Sequence, residues 1–164
     1  MSTLKQIEIT EDVANKRFHI TREFVAPLER VWKAWTDPDL LDIWWAPKPW
    51  KAVTEKMDFR EGGSWLYYME GPEGEKNWCR FDIQQIADLQ SFTGTVYFCD
   101  EQGKEDKDIP KMYWDDRFYK DEIGTMVEIK ISFDSVDDMK TIMEMRFKEG
   151  FTAACENLDE LLME

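Results

Sequence analysis

The sequence predicts an α+β fold in which one antiparallel sheet is covered by a long C-terminal helix. Three observations carry this prediction. One strand and two short helices are followed by six successive segments that alternate with the period of a strand. Short turns join most of these segments, which is typical of an antiparallel meander. The last segment is an amphipathic helix, and the sheet offers the face on which its apolar stripe can be buried.

The first strand is predicted over residues 17–25, where alternate side chains share one face. These side chains are Phe18, Ile20, Arg22 and Phe24. A short helix follows, with apolar residues at helical spacing: Leu28, Val31, Trp32 and Trp35. The second helix is predicted to begin with Asp37 as its N-cap and Pro38 as its first helical residue, a pairing typical of helix starts.

Six further strands are predicted between residues 50 and 147. The residues that share one face, strand by strand, are Val53, Glu55, Met57 and Phe59; Trp65, Tyr67 and Met69; Cys79, Phe81 and Ile83; Phe92, Gly94, Val96 and Phe98; Val127, Ile129, Ile131 and Phe133; and Thr141, Met143, Met145 and Phe147. Residues 100–124 break the alternation and are predicted to form a charged lid, or a loop with a short element of its own. The last helix is predicted after Gly150, with Leu158 and Leu161 buried against the sheet.

Length and composition limit the possible classes of protein. The chain has 164 residues, enough for one domain, which we expect over residues 17–164 after an N-terminal arm or added edge segment of residues 1–16. Its net charge of −14 argues against nucleic acid and anionic membrane surfaces as partners, because both are bound through Lys and Arg. The sequence has no apolar run long enough for a membrane span and no apolar signal segment at its start. Three cysteines without CxxC spacing favour reduced thiols, so we expect a cytoplasmic location.

Few residues offer catalytic or metal-binding chemistry. His19 is the single histidine, and the alternation of its strand directs it away from the apolar face, so a Ser-His-Asp or Cys-His arrangement is not predicted. The acidic pairs Asp115-Asp116 and Asp137-Asp138 are interpreted as solvated charges of turns and loops. Because P-loop and EF-hand spacings are both lacking, neither a metal nor another cofactor is expected, and no catalytic residue is assigned.

Arg22 and Glu55 each fall on the otherwise apolar face of a strand. Inward charges are costly unless they are paired. Three interpretations therefore stay open: two charges at the sheet rim, a polar anchor inside a pocket, or a structural pair. We expect the first two strands to be neighbours, which would let the two side chains meet on the concave face.

The aromatic residues suggest a binding pocket. The chain has eight tryptophans, and the best placed to line a cavity mouth are Trp45 and Trp65, together with Tyr67. Aromatic walls with few polar groups suit flat or apolar ligands. The candidate ligand-binding residues are Arg22, Trp45, Glu55, Met57, Trp65, Tyr67, Met143 and Phe151. Packing within the core is the alternative for each aromatic residue.

Four motifs occur in order along the chain: residues 20–38, Trp44-Trp45-Ala46-Pro47, residues 58–63, and a leucine-rich helix that follows Gly150-Phe151. Together they resemble the SRPBCC (START-like) superfamily. The resemblance is strongest to the branch related to the C-terminal domain of the activator of the 90-kDa heat-shock protein ATPase. The match covers residues 17–164, with Phe in place of the Trp that the family carries after the glycine.

The resemblance implies a helix-grip fold. In this fold a curved seven-stranded antiparallel sheet surrounds the C-terminal helix, and two short helices separate the first two strands. Members of the superfamily bind lipids, hormones and polyketides, some are cyclases, and eukaryotic relatives stimulate a chaperone. We therefore expect a pocket between sheet and C-terminal helix that binds a small apolar or aromatic molecule. A chaperone-activating interaction module, and a cyclase or hydrolase that uses the same cavity, are the alternatives.

Overall fold

The computed structural model describes residues 7–164, in which eight antiparallel strands form one sheet. The strands are β1 (Glu8–Asp12), β2 (Arg17–Phe24), β3 (Lys51–Met57), β4 (Ser64–Glu70), β5 (Lys76–Ala87), β6 (Ser91–Cys99), β7 (Met112–Lys120) and β8 (Thr125–Ser132). Their order across the sheet is β1-β2-β8-β7-β6-β5-β4-β3. The helices are α1 (Leu28–Thr36), α2 (Pro38–Trp44), α3 (Val136–Glu144) and α4 (Phe147–Leu162), with a short 3-10 helix (Val13–Asn15) between β1 and β2.

The C-terminal helix α4 covers the inner face of the sheet, as the helix-grip prediction requires. Its ring contacts reach two strands, because Phe147 lies 5.6 Å from Phe18 on β2 and Phe151 lies 6.0 Å from Trp114 on β7. Leu158 is fully buried, whereas Leu161 is only half-buried. The α+β class and the helix-grip arrangement are thus confirmed, with one more strand than predicted.

The two short helices between β2 and β3 form as their local signals predict. Asp37 caps α2 by accepting a hydrogen bond from the backbone N–H of Asp39 at 2.9 Å, and Pro38 is the first helical residue. The indole N–H of Trp44 donates to the carbonyl oxygen of Ala34 at 2.9 Å, which fixes α2 against α1. Arg30 on α1 donates to carbonyl oxygens at the end of α4, among them that of Leu162. The two helices are therefore tied both to each other and to α4.

The prediction of a loop over residues 100–124 is wrong for its second half. Met112–Lys120 is strand β7, which lies inside the sheet between β6 and β8. Its residues Met112, Trp114, Asp116 and Phe118 alternate towards the inner face and are buried. The adjacent residues Asp115 and Asp116 interrupt the apolar alternation in the middle of the strand. Because carboxylates are usually exposed, the sequence pattern does not predict a buried residue there.

The predicted seventh strand over residues 141–147 is also wrong. This stretch contains the end of α3 and the start of α4, so the last helix begins before Gly150. Ser135 caps α3 by accepting a hydrogen bond from the backbone N–H of Asp138 at 3.0 Å. Met139 and Ile142, at helical spacing, are the buried residues of α3. The apolar residues in this stretch fit both the period of a strand and that of a helix. The N-cap at Ser135 is the local signal that favours the helix.

The N-terminal arm predicted over residues 1–16 contributes strand β1, which pairs with β2 at the edge of the sheet. Its first six residues lie outside the described part of the chain. With β1 and β7 added and the predicted seventh strand removed, the sheet has eight strands.

Candidate functional site

A small aromatic cavity lies between the inner face of the sheet and helices α1 and α2. We call it the inner cavity, and its volume is about 30 Å³. Its walls include Trp35, Trp45, Trp65, Tyr67, Phe92, Trp114 and Asp116. This volume accommodates a water molecule or a single polar group of a ligand, but not an aromatic ring.

A larger groove opens beside the inner cavity, at the junction of α3 and α4. We call it the outer groove, and its volume is about 230 Å³. It is lined mainly by apolar side chains of α4 and strands β4 to β7, among them Met69, Met112, Phe147 and Phe151. Trp45, Tyr67, Val96 and Trp114 line both the groove and the cavity. The two spaces therefore share one aromatic wall.

The shared wall is held by hydrogen bonds. The indole N–H of Trp45 donates to the phenolic oxygen of Tyr67 at 3.0 Å. Tyr67 also stacks on Trp65, with ring centroids 4.0 Å apart. Trp65 donates in turn to the hydroxyl of Thr54 at 3.0 Å, and that hydroxyl donates to Asp42 at 2.7 Å. This chain of contacts links α2, β3 and β4, so it fixes the orientation of the wall.

The phenol of Tyr67 stays protonated in this setting. Burial, as the largest cause, raises the pKa of Tyr67 well above its usual value of 10.0. The hydroxyl at the shared wall is therefore a neutral hydrogen-bonding group.

Asp116 places a carboxyl group in the wall of the inner cavity. The residue is only 1% exposed, and its Oδ1 atom has no hydrogen-bond partner within residues 7–164. Burial raises the pKa of Asp116 well above its usual value, and the negative charge of Asp115 adds to this effect. Trp35 and Trp114 line the same cavity with their rings, and their buried indole N–H groups also have no hydrogen-bond partner among these residues.

The interpretation of Asp116 as a solvated charge is wrong, because the residue is buried. Neighbouring Asp115 points to the other face, where it pairs with Arg117 at 3.2 Å. Alternation of Met112, Trp114, Asp116 and Phe118 was the signal that could have placed Asp116 inward.

Most of the sequence-predicted site residues are brought together by the fold. Trp45, Met57, Trp65 and Tyr67 line the inner cavity, and Phe151 lines the outer groove. Their role as ligand contacts stays a prediction. Met143 lies half-buried on α3 and borders neither space, because the strand on which it was predicted is a helix.

The expected contact between Arg22 and Glu55 is not formed. Strand β2, which carries Arg22, and β3, which carries Glu55, are separated by five strands rather than adjacent. Glu55 lies in a β-bulge between Thr54 and Lys56, where the register shifts and the side chain is exposed. The bulge reverses the alternation that had placed Glu55 inward.

Arg22 is buried, so it is not a charge at the sheet rim, and its partner comes from the opposite end of the sequence. Its guanidinium forms an ion pair with Asp159 on α4 and donates to the carbonyl oxygen of Glu23 at 2.7 Å. Arg22 borders neither the cavity nor the groove, and its ion pair links β2 to α4.

Within the described part of the chain, few other side chains are suited to catalysis or metal binding. His19 lies half-exposed and pairs with Glu128 at 2.8 Å, away from both spaces. Within residues 7–164 there is no group of three or more His, Cys, Asp or Glu side chains placed to hold a metal ion. None of the helices described is long and apolar enough to cross a membrane.

The antiparallel sheet and the C-terminal helix α4 packed on its inner face define a helix-grip protein of the SRPBCC type. The model of the family "Activator of Hsp90 ATPase homolog 1-like protein" matches residues 25–163. The chain belongs to this family, which confirms the resemblance found in the sequence. No curated protein matches the chain significantly in sequence.

Solved structures of bacterial proteins share the whole fold. A crystal structure from Mycobacterium smegmatis is 29% identical with a TM-score of 0.88, covering 95% of this chain and 96% of that one. A solution NMR structure from Arthrobacter aurescens is 31% identical with a TM-score of 0.89, covering 95% and 91%. The AHSA1 protein of Silicibacter pomeroyi, at 19% identity and a TM-score of 0.73 over 90% and 97%, shows likeness of fold alone.

Proposed function

We propose that the protein binds a small apolar or aromatic molecule in the outer groove. The observation that supports this proposal is the apolar wall that the groove shares with the inner cavity, formed by the aromatic residues Trp45, Tyr67 and Trp114 together with Val96. A ligand in the groove lies against this wall and reaches the cavity with one end. Proteins of this fold commonly bind hydrophobic ligands, which supports the proposal.

The size of the groove limits the ligand. At about 230 Å³, the groove lies slightly below the range of about 300–1,000 Å³ that is typical of drug-sized ligands. One or two rings, or a short acyl chain, match this volume. Apolar contact supplies most of the binding free energy, at about 25 cal/mol for each Å² of surface removed from water.

The charge of the groove also limits the ligand. Among the groove-lining residues that the structure describes, Arg146 is the only charged one, and it lies exposed at the junction of α3 and α4. The chain as a whole carries a net charge of −14. A neutral ligand, or one whose anionic end stays near Arg146 at the mouth, is compatible with this arrangement.

Gly150 allows a direct test of the groove. It lines the groove on α4, and a Cβ added there would meet only the Cγ atom of Pro47, at 3.8 Å. The matched control Gly150→Ala should therefore fold and gain up to about 1 kcal/mol from helix propensity. Gly150→Trp fills the groove mouth with an indole.

The experiment screens the wild type by thermal shift against fatty acids, sterols, flavonoids and naphthalene derivatives, and measures each hit by calorimetry. A ligand present at 100 times Kd should stabilise the fold by about 2.7 kcal/mol. We expect Gly150→Ala to keep the affinity and Gly150→Trp to lose it. Equal affinities in both variants, or the lack of any hit, would contradict the proposal.

The family name favours a second function, stimulation of the ATPase of the 90-kDa chaperone. A surface for such a partner would need exposed apolar side chains. The large exposed ones within residues 7–164 lie on different parts of the fold: Val13 on the 3-10 helix, Val25 after β2, Ile43 on α2, Tyr119 on β7, Met145 before α4 and Met163 after α4. We expect an unchanged ATPase rate when saturating protein is added to the cognate chaperone, and a reproducible rise would support the second function.

A cyclase or hydrolase using the same cavity remains the third candidate. Asp116 is the ionisable group that such an enzyme would use, since it lines the inner cavity and is buried. Turnover of a bound ligand, followed by mass spectrometry and lost in Asp116→Asn, would favour this candidate over simple binding.

A further inference from the structure

The arginine at the mouth of the outer groove has no partner within residues 7–164. Arg146 lies exposed between α3 and α4 and lines the groove, and its guanidinium forms neither an ion pair nor a hydrogen bond with these residues. Every other arginine of the described chain pairs with a carboxylate or donates to a carbonyl oxygen: Arg17, Arg22, Arg30, Arg60, Arg80 and Arg117. A guanidinium has five N–H donors, so all of those of Arg146 are free for a ligand.

The local backbone does not account for an arginine at position 146. The residue has φ 65° and ψ 37°, in the left-handed region that favours glycine or asparagine. It is also the N-cap of α4, a position that favours Ser, Thr, Asp or Asn because their side chains accept hydrogen bonds from the first turn. The Arg146 side chain makes no such bond. A shorter residue would suit both requirements better, so the reason for an arginine lies in what its charged side chain can bind.

The charges around the groove mouth favour an anion at Arg146. Among the groove-lining residues that the structure describes, none is acidic except the shared cavity's neighbours, which do not border the groove. Glu144 and Glu149 flank Arg146 in the sequence, but neither lines the groove and neither pairs with the arginine. The net charge of −14 repels anions, yet charges farther away than about 8 Å are largely screened at physiological ionic strength. At contact distance the guanidinium therefore outweighs the distant acidic residues.

We propose that the ligand of the outer groove carries a carboxylate at its outer end, which Arg146 binds at the mouth. This inference rests on the binding function proposed above and narrows the ligand to small aromatic or short-chain carboxylic acids. The planar guanidinium matches the two oxygens of a carboxylate, which can accept two parallel charge-assisted hydrogen bonds. The apolar part of the ligand lies in the groove against the rings of Trp45, Tyr67 and Trp114.

Three compounds with the same two rings test the carboxylate: 2-naphthoate, 2-naphthamide and 2-naphthol. The amide has nearly the shape of the carboxylate but no charge, and the neutral 2-naphthol measures apolar binding alone. We expect the wild type to bind 2-naphthoate at least about threefold more tightly than 2-naphthamide at pH 7 by isothermal titration calorimetry, because an ion pair at an exposed mouth contributes modestly. Equal or weaker binding of 2-naphthoate would overturn the inference, while binding of 2-naphthol would leave the proposed function intact.

Arg146→Gln removes the positive charge at the mouth, and Lys148→Gln is its matched control. Both substitutions make the net charge more negative by the same amount, and both positions are exposed, but only Arg146 lines the groove. We expect the preference for 2-naphthoate over 2-naphthamide to disappear in Arg146→Gln and to remain in Lys148→Gln. Arg146→Lys should keep part of it, since lysine retains the charge without the planar fork. The affinity for 2-naphthol should change by less than about twofold in all three variants, because this compound forms no ion pair.

The possible failures are distinct. Circular dichroism verifies the fold of each variant, and Arg146→Gly, which suits the left-handed backbone, is a second variant without the charge. A preference for 2-naphthoate that survives in both Arg146→Gln and Arg146→Gly would overturn the inference. An equal loss of the preference in Lys148→Gln would assign it to the overall charge of the chain and would overturn the inference as well. If neither these compounds nor any in the wider panel bind, the proposed function fails and the inference fails with it.

Discussion

The indole N–H of Trp45, at the end of α2, donates to the phenolic oxygen of Tyr67 on β4 at 3.0 Å. This hydrogen bond crosses from the helical cover to the sheet at the wall shared by the inner cavity and the outer groove. Both partners are anchored further, because Tyr67 stacks on Trp65 and Trp45 packs against Trp44 with ring centroids 5.2 Å apart. The bond therefore couples the stability of the fold to the shape of the candidate site.

Removal of the Tyr67 hydroxyl should weaken the fold. In Tyr67→Phe the indole N–H of Trp45 loses its acceptor, so we expect a loss of about 1–2 kcal/mol in the free energy of unfolding by urea denaturation. Tyr68→Phe is the control: it keeps the ring that packs against Trp78 at 4.7 Å, and it should cost less than about 0.5 kcal/mol. Equal losses in the two variants would contradict a specific role for the bond.

Asp116 should make stability fall as pH rises. Its folded-state pKa is raised by burial, so its contribution is complete below the unfolded-state pKa of about 3.9 and is lost as pH rises through the folded-state pKa. In Asp116→Asn this loss disappears, and the stability of the variant relative to the wild type should increase steadily from pH 4 upwards. Denaturant midpoints at intervals from pH 4 to pH 8 measure the difference. The stability of Asp115→Asn should depend on pH in the same way as that of the wild type. The same pH dependence in Asp116→Asn would contradict the burial of the Asp116 carboxyl.

The ion pair of Arg22 and Asp159 should contribute more to the free energy of unfolding than the ion pair of Lys48 and Glu160, which also involves α4. The Arg22 side chain is 5% exposed and that of Asp159 is 33% exposed, so Asp159→Ala leaves a buried guanidinium without its carboxylate. We expect a cost of about 1–3 kcal/mol, below the full cost for a pair buried on both sides. Glu160→Ala breaks the exposed pair with Lys48, whose side chains are 69% and 68% exposed, and should cost less than about 1 kcal/mol.

A double variant separates the ion pair from simple packing. Arg22→Met combined with Asp159→Ala removes both charges and should be less destabilised than Asp159→Ala alone. A double variant that is as unstable as the sum of the two single changes would contradict a coupled buried pair.

Replacement of Leu158 tests how much the packing of α4 on the sheet contributes to stability. It is completely buried, whereas Leu161 on the same helix is half-buried. Leu158→Ala should lower the free energy of unfolding by about 2–5 kcal/mol, and Leu161→Ala by clearly less. A change below about half a kcal/mol in the free energy of unfolding of Leu158→Ala would contradict the packing of α4 against the sheet.

Features with strong local signals could be predicted from the sequence. Asp37 and Pro38 specify the start of α2 because both act on the first turn of the helix itself. Strand β7 was missed because Asp115 and Asp116 are adjacent and chemically alike, although one faces solvent and the other the cavity. The sheet around them, not the local sequence, makes this distinction.

The aromatic walls of the candidate site could be predicted from the sequence, whereas the positions and partners of its charged residues could not. Trp45, Trp65 and Tyr67 follow from aromatic residues at the expected periods. Arg22 lies on the apolar face of its strand, as the alternation indicates, but its partner Asp159 lies 137 residues away, beyond the reach of any periodic pattern. Glu55 was misplaced because a single bulge shifts the register of β3, and no local residue signals that bulge.

The most direct test of the central claim is a two-dimensional NMR titration of the indole N–H signals of the eight tryptophans with 2-naphthol. Single Trp→Phe variants assign the signals. Trp45 and Trp114 line both the groove and the cavity, whereas Trp50 and Trp78 line neither. We predict saturable shifts for Trp45 and Trp114 and unchanged signals for Trp50 and Trp78. Shifts confined to Trp50 and Trp78, or no shift at saturating ligand, would contradict binding at this site.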